Sequence, residues 1–168
     1  MLIVISDIHL EECTIDVHPG LKVNRNLDAK AYQKFIRSAA KEAAVNHAHS
    51  VDLVLAGDIF ELNRSHIWYE DDIKPYIDIN RITTGSEHEK KILRLLDGIG
   101  KEEKVAASLE IIRDFPTYFD TGFHLHYLLG NHDRLVNATP ATRAKARALL
   151  GMPAGSSPLP HTFTYMDH

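Results

Sequence analysis

Three short apolar runs frame the chain: Leu2-Ile3-Val4-Ile5, Leu53-Val54-Leu55-Ala56 and Leu125-His126-Tyr127-Leu128-Leu129. Each has strand length and the first is rich in β-branched residues, so all three predict strands. Between them the apolar period changes. From Ala29 to His47, the residues Tyr32, Phe35, Ile36, Ala39, Ala40 and Ala43 recur at helical spacing behind Asp28, a candidate N-cap. A second helix is predicted to open on the capping-box string Ser86-Glu87-His88-Glu89 and to continue through Ile92, Leu95, Leu96 and Ile99. Gly98 and Gly100 weaken it, the pattern resumes at Val105, Leu109 and Ile112, and Pro116 stops it. Thr139 to Leu150 predicts a third helix, ending at Gly151. Strands alternating with helices give an α/β domain with at least a partly parallel sheet. No internal repeat is visible. Pro153 to Pro160 reads as a linker, and Thr162-Phe163-Thr164-Tyr165-Met166 again has strand character.

Composition narrows the class without changing that picture. The 168 residues are 44% hydrophobic and 25% charged with a net charge of −4, the balance of one globular domain. Leu2 to Ile5 is too short for a signal peptide or membrane span, so the expected compartment is the cytoplasm, with no membrane partner. Cys13 is the sole cysteine, which excludes an internal disulfide framework and any zinc site built on several thiolates. The mild acidity argues against a bulk nucleic-acid binder, leaving nucleic acid only as a substrate. The 11 histidines are the unusual feature, and they favour a metal site of nitrogen and oxygen ligands.

Each of the three strand candidates ends in a small residue followed by a side chain able to bind a hard metal. The pairs are Ser6-Asp7, Gly57-Asp58 and Gly130-Asn131. In open α/β sheets ligands sit beyond the carboxyl ends of the strands, where the loops converge, so the three pairs are expected to meet at one place. Asp7 and His9 are two residues apart and, in continued strand geometry, project to one side. Glycine at 57 and 130 permits tight turns and close backbone approach. Asn131-His132-Asp133 adds an amide oxygen, an imidazole and a carboxylate suited to orienting it. Singly, Asp-x-His and Gly-Asp are ordinary turn strings. Their ordered coincidence with Gly-Asn-His-Asp, each after an apolar run, is what carries the functional reading.

Asp7-Ile8-His9, Gly57-Asp58 and Gly130-Asn131-His132-Asp133 resemble the first three signature blocks of the calcineurin-like metallophosphoesterases, over Met1 to about Asp133. The resemblance implies a metallophosphoesterase-type β-sandwich flanked by helices, and a hydrolase using two divalent metal ions. It implies that Asp7 and His9 bind one metal, that Asp58 bridges both and that Asn131 binds the second. It places His132 near the leaving group, as proton donor or transition-state stabiliser. The expected reaction is hydrolysis of a phosphomonoester, phosphodiester or pyrophosphate bond through a metal-activated hydroxide, with His132 positioned by Asp133 to assist departure of the alkoxide. Mixed nitrogen and oxygen ligands suit Mn, Fe or Zn, with Mn the first choice in vitro. Other phosphatase chemistries fail on residues. Six positions after Cys13 stands Pro19 instead of arginine, two after Asp7 stands His9 instead of a second aspartate, and no Gly-x-x-x-x-Gly-Lys loop occurs.

The later blocks of that signature, an isolated histidine and Gly-His-x-His, have no match. After Asp133 only His161 and His168 remain, a linker-exit residue and the terminal one. The chain therefore reads as the N-terminal part of a longer metallophosphoesterase, incomplete at its C-terminus. The alternative is a weak or inactive module of that fold acting as a protein-binding scaffold. Weaker signals lie elsewhere. Glu11 to Leu27, with His18, is a long connection that is expected to border the pocket. Residues 61–115 form an insertion between the second and third motifs that holds Trp68, Tyr69 and Tyr76: either a candidate substrate cap, with Arg64 nearest the metal loop and suited to a phosphate, or an amphipathic helix with aromatic packing and solvated arginines. Substrate contacts are thus expected from Asn131, His132 and Arg64. His124 and His126 alternate along one sheet face, and Arg143, Lys145 and Arg147 read as a solvated helix face.

Overall fold

The structure, a computed structural model, describes residues 1–12, 15–18 and 21–165, with the backbone alone for 15–18, 21 and 22. Cys13, His168 and Met166 lie outside the described residues, as does the side chain of His18. Among the described residues the architecture is mixed α/β, with a three-stranded open parallel sheet and four α-helices.

In chain order the elements are β1 (Leu2–Ile5), β2 (Ile15–His18), β3 (Leu21–Val23), α1 (Ala29–Val45), β4 (Ser50–Ala56), α2 (Glu87–Lys101), α3 (Glu103–Arg113), β5 (Gly122–Leu128) and α4 (Pro140–Leu149). The parallel sheet has the order β1-β4-β5, with Leu2 opposite Asp52 and Ser50 opposite Gly122. That register brings Ile5, Leu55 and Tyr127 level, so the three chains leave the sheet at nearly the same height. Strand β1 coincides with its apolar run, whereas β4 and β5 begin three residues before theirs. Strands β2 and β3 form an antiparallel hairpin inside the connection between β1 and α1, where no apolar run predicts a strand.

Helix α1 begins where expected, with the Asp28 side chain accepting from the Lys30 N–H at 2.9 Å. The second predicted helix divides in two. Glu102 is extended between α2 and α3, and its carboxylate accepts from the Val105 N–H to start α3 afresh. Gly98 and Gly100 lie inside α2 as packing positions: a Cβ at Gly100 would strike Leu149 of α4. Thr139 and Thr142 cap α4 reciprocally. Residues 162–165 are not a strand. Pro160 accepts from the Leu129 N–H, and the Phe163 ring rests 4.3 Å from that of His126.

Sheet parity decides where the core lies. Ile3, Ile5, Leu53, Leu55, Leu125 and Tyr127 share one face and pack with Tyr32 and Ile36 of α1, Leu95 of α2, Leu109 of α3 and Ala146 of α4. Residues of the other parity, Leu2, Val4, Asp52, His124 and His126, point away from that cluster, and Val4 is 57% exposed. On that open face His126 pairs with Asp52 at 2.8 Å. The 61–115 stretch contributes to the same core through Trp68 and the buried faces of α2 and α3. Tyr69 and Tyr76 are exposed. Among the described residues no helix is long and apolar enough to cross a membrane.

Candidate metal centre

The backbone beyond β1 and β4 stays paired after the regular ladder ends. Asp7 N–H donates to Gly57 at 3.2 Å, His9 N–H to Asp58 at 2.9 Å and Leu10 N–H to Ile59 at 2.8 Å. To keep that pairing while turning side chains upward, Asp7, His9 and Asp58 all adopt the left-handed region, with φ of 56°, 50° and 53°. Such conformations cost an L-residue about 1–3 kcal/mol each and persist where surrounding structure enforces them. Three of the four non-glycine residues with positive φ among the described residues are thus residues that the motifs single out.

The glycines are fixed by contact. A Cβ at Gly57 would lie 3.0 Å from both N and Cα of Gly130, so the β4 and β5 turns touch backbone to backbone. A Cβ at Gly130 would land on the Asp58 carboxylate. With that space open, Asp58 Oδ1 accepts from the His132 N–H at 2.8 Å, tying the second motif to the third.

Two groups of ligand-type atoms result, each within 4.8 Å: Asp7, His9 and Asp58; and His9, Glu61 and His132. His9 belongs to both because its two nitrogens face different partners. Nδ1 lies 3.2 Å from Glu61 Oε2, while Nε2 faces Asp7 Oδ1 at 4.0 Å. A carboxylate on Nδ1 is the arrangement that orients a metal-binding imidazole and leaves Nε2 for the cation. The His9 and His132 rings meet edge to face with centroids 4.7 Å apart. Asn131 is exposed at the β5 end of the same rim.

The structure corrects the role expected of Asp133. Its carboxylate is fully buried and accepts from Ile59 N–H at 2.9 Å, Gly130 N–H at 2.7 Å and the Tyr127 hydroxyl at 2.7 Å. Those three donors occupy it below the site, where burial pushes its carboxyl above the usual range despite them. Burial likewise pushes the Tyr127 phenol well up, so it remains a donor. His132 is held instead by Glu61, 2.9 Å from its Nδ1.

Glu61 is the residue that sequence reasoning missed. It is 3% exposed, and its oxygens also accept from the N–H groups of Asn63 and Arg64, each at 3.1 Å. Burial alone would raise its carboxyl, but His132 and those two N–H donors outweigh it and hold the group below its usual range. Its sequence signal was its place three residues after Asp58, where the insertion begins. The Arg64 guanidinium lies 3.9 Å from Glu61 at Nε and is otherwise mostly exposed. His161 meets the Leu129 carbonyl at 3.2 Å and belongs to neither ligand group.

Comparison of the chain with protein-family models, with curated proteins and with solved structures finds no match in any of the three.

Proposed function

We propose that the chain carries the core of a metal-dependent phosphoesterase of the metallophosphoesterase type. The observation that carries this reading is the convergence of Asp7, His9 and Asp58 within 4.8 Å at the carboxyl end of the sheet, beside Asn131 and His132. The donor set fits the metals the sequence suggests. Two carboxylates, one imidazole nitrogen and one amide oxygen suit Mn, Fe or Zn. Such cations, when bound, neutralise phosphate oxygens and acidify water. The protein's own part follows from its hydrogen bonds. Glu61 fixes the His9 ring so that Nε2 is presented to the cation. The same carboxylate takes Nδ1 of His132, which leaves His132 Nε2 to hand a proton to a departing alkoxide. Asn131 holds the substrate side of the rim, and Arg64 supplies a guanidinium for a phosphate oxygen. Substrates in this reading are phosphomonoesters, phosphodiesters or pyrophosphates.

A sandwich of the metallophosphoesterase type places a second layer over the open sheet face, and the exposure of Leu2 and Val4 there supports that reading. The test is elemental analysis after manganese loading, alongside hydrolysis of an aryl phosphate. Wild type should retain manganese, and Asp58→Asn should lose about 100-fold or more in metal affinity together with any hydrolysis. A wild-type chain that takes up no divalent metal would leave the scaffold alternative standing.

A further inference from the structure

The segment after Asp58 is stitched to the third motif by two contacts that the metal-ligand pattern does not contain. Leu62 N–H donates to the His132 carbonyl at 3.3 Å. Asn63 Nδ2 donates to the Asn131 carbonyl at 3.0 Å, while the Asn63 N–H donates to Glu61. The same amide carries an unmet group: Asn63 Oδ1 is buried and has no hydrogen-bond partner among the described residues. Its orientation follows from its chemistry, since only the nitrogen can donate to the Asn131 carbonyl, so an amide flip is excluded. Both polar atoms of an amide share one carbon. Oδ1 therefore belongs to the amide group that Nδ2 ties to the Asn131 backbone, and the Asn131 side chain itself is exposed and makes no hydrogen bond to a described residue.

A ligating amide has a matching need. When an asparagine turns Oδ1 to a cation, its Nδ2 becomes a more acidic donor and is held by an acceptor beside the site. A buried acceptor left unmet is destabilising, which favours a state that satisfies it.

We propose that Asn63 is a positioning residue for Asn131: Nδ2 fixes the Asn131 backbone, and Oδ1 accepts from Asn131 Nδ2 when Asn131 Oδ1 faces a cation. This rests on the metal-centre reading above. Asn63 touches no metal in this arrangement; it sets which end of Asn131 faces the cation, and so the affinity of the Asn131 side of the centre.

The experiment is a zinc(II) titration followed by NMR, reading the chemical-shift change of the Asn131 side-chain amide signals and, separately, of the His9 ring, since a diamagnetic cation shifts chiefly the groups it contacts. Asn63→Ala should raise the zinc concentration needed at Asn131 by about 10- to 100-fold and leave that at His9 unchanged. Total manganese bound, read by electron paramagnetic resonance, adds a cycle with Asn131→Ala. Because Asn63 acts through Asn131, Asn63→Ala should change binding in the wild-type background and have no further effect in Asn131→Ala. Equal titration curves at Asn131 for wild type and Asn63→Ala, or the same loss in both backgrounds, would overturn the proposal while leaving the metal centre in place. A wild type with no zinc-dependent shift at either residue would remove both readings. Asn63→Ser, smaller and still polar, repeats the comparison should Asn63→Ala fold poorly.

Discussion

The site has two halves that are built differently. Asp7, His9, Asp58 and Asn131 stand on the ends of β1, β4 and β5, where parallel pairing, glycine contacts and positive φ angles fix the backbone. Glu61, Asn63 and Arg64 stand on the connecting segment, which side-chain bonds hold in place. Trp68 Nε1 donates to the Leu62 carbonyl at 2.7 Å, Lys91 of α2 reaches the Ile67 carbonyl and Asp71, and Arg94 forks onto Glu70. The contrast teaches a division of labour. The sheet decides where the ligand-type atoms are, and the segment decides which nitrogen of each histidine faces Glu61.

The largest effect should come from breaking the sheet half at its floor. Asp133→Ala leaves the Ile59 N–H, the Gly130 N–H and the Tyr127 hydroxyl without an acceptor in a fully buried place. The expected loss is about 3 kcal/mol of folding stability, read as a lower urea midpoint. Had Asp133 oriented His132 instead, the same change would spare stability and shift only the pH dependence of hydrolysis.

Removing the charge of the segment half should cost function more than fold. Glu61→Gln keeps the shape of the side chain but gives up the carboxylate shared by His9 and His132. Manganese affinity should fall about 10- to 100-fold, measured by isothermal titration, with less destabilisation than Asp133→Ala. An unchanged affinity would mean that the sheet half alone orients His9.

The two halves also differ in how far the sequence revealed them. The strand-end residues were legible because their spacing is local: an apolar run, a small residue and a ligand repeat three times. Gly57 and Gly130 were readable as close-approach positions, although only the structure shows that they approach each other. Asp133 was misread because adjacency to His132 suggested contact, whereas the turn after Gly130 directs the two side chains apart, one to the rim and one to the floor. Glu61 went unseen because a carboxylate near a turn carries no periodic signal, and its value comes from His9 and His132, 52 and 71 residues away in the chain. The break at Glu102 was hidden for a similar reason: α2 and α3 share an apolar period, and the interruption lies in one extended residue.

The smallest effect concerns the anchors of the segment, and it is a pH effect. Lys91 and the Ile73 N–H hold the Asp71 carboxyl below its usual 3.8, and Arg94 holds that of Glu70 below its usual 4.5. In each case the unfolded or undocked form binds the proton more readily, so the anchoring is complete above those values and is lost as pH falls through the lowered ones. Solvent screens both carboxylates, and the loss should be slight. Hydrogen exchange should show it as reduced protection of the amides of residues 66–82 relative to β4 when pH is lowered from about 6 to about 3.5. In Arg94→Ala the Glu70 share of that difference should disappear while the Asp71 share persists. Equal protection of segment and strand across that range would show that Trp68, buried in the core, anchors the segment by itself, and that the second half of the site is as firmly fixed as the first.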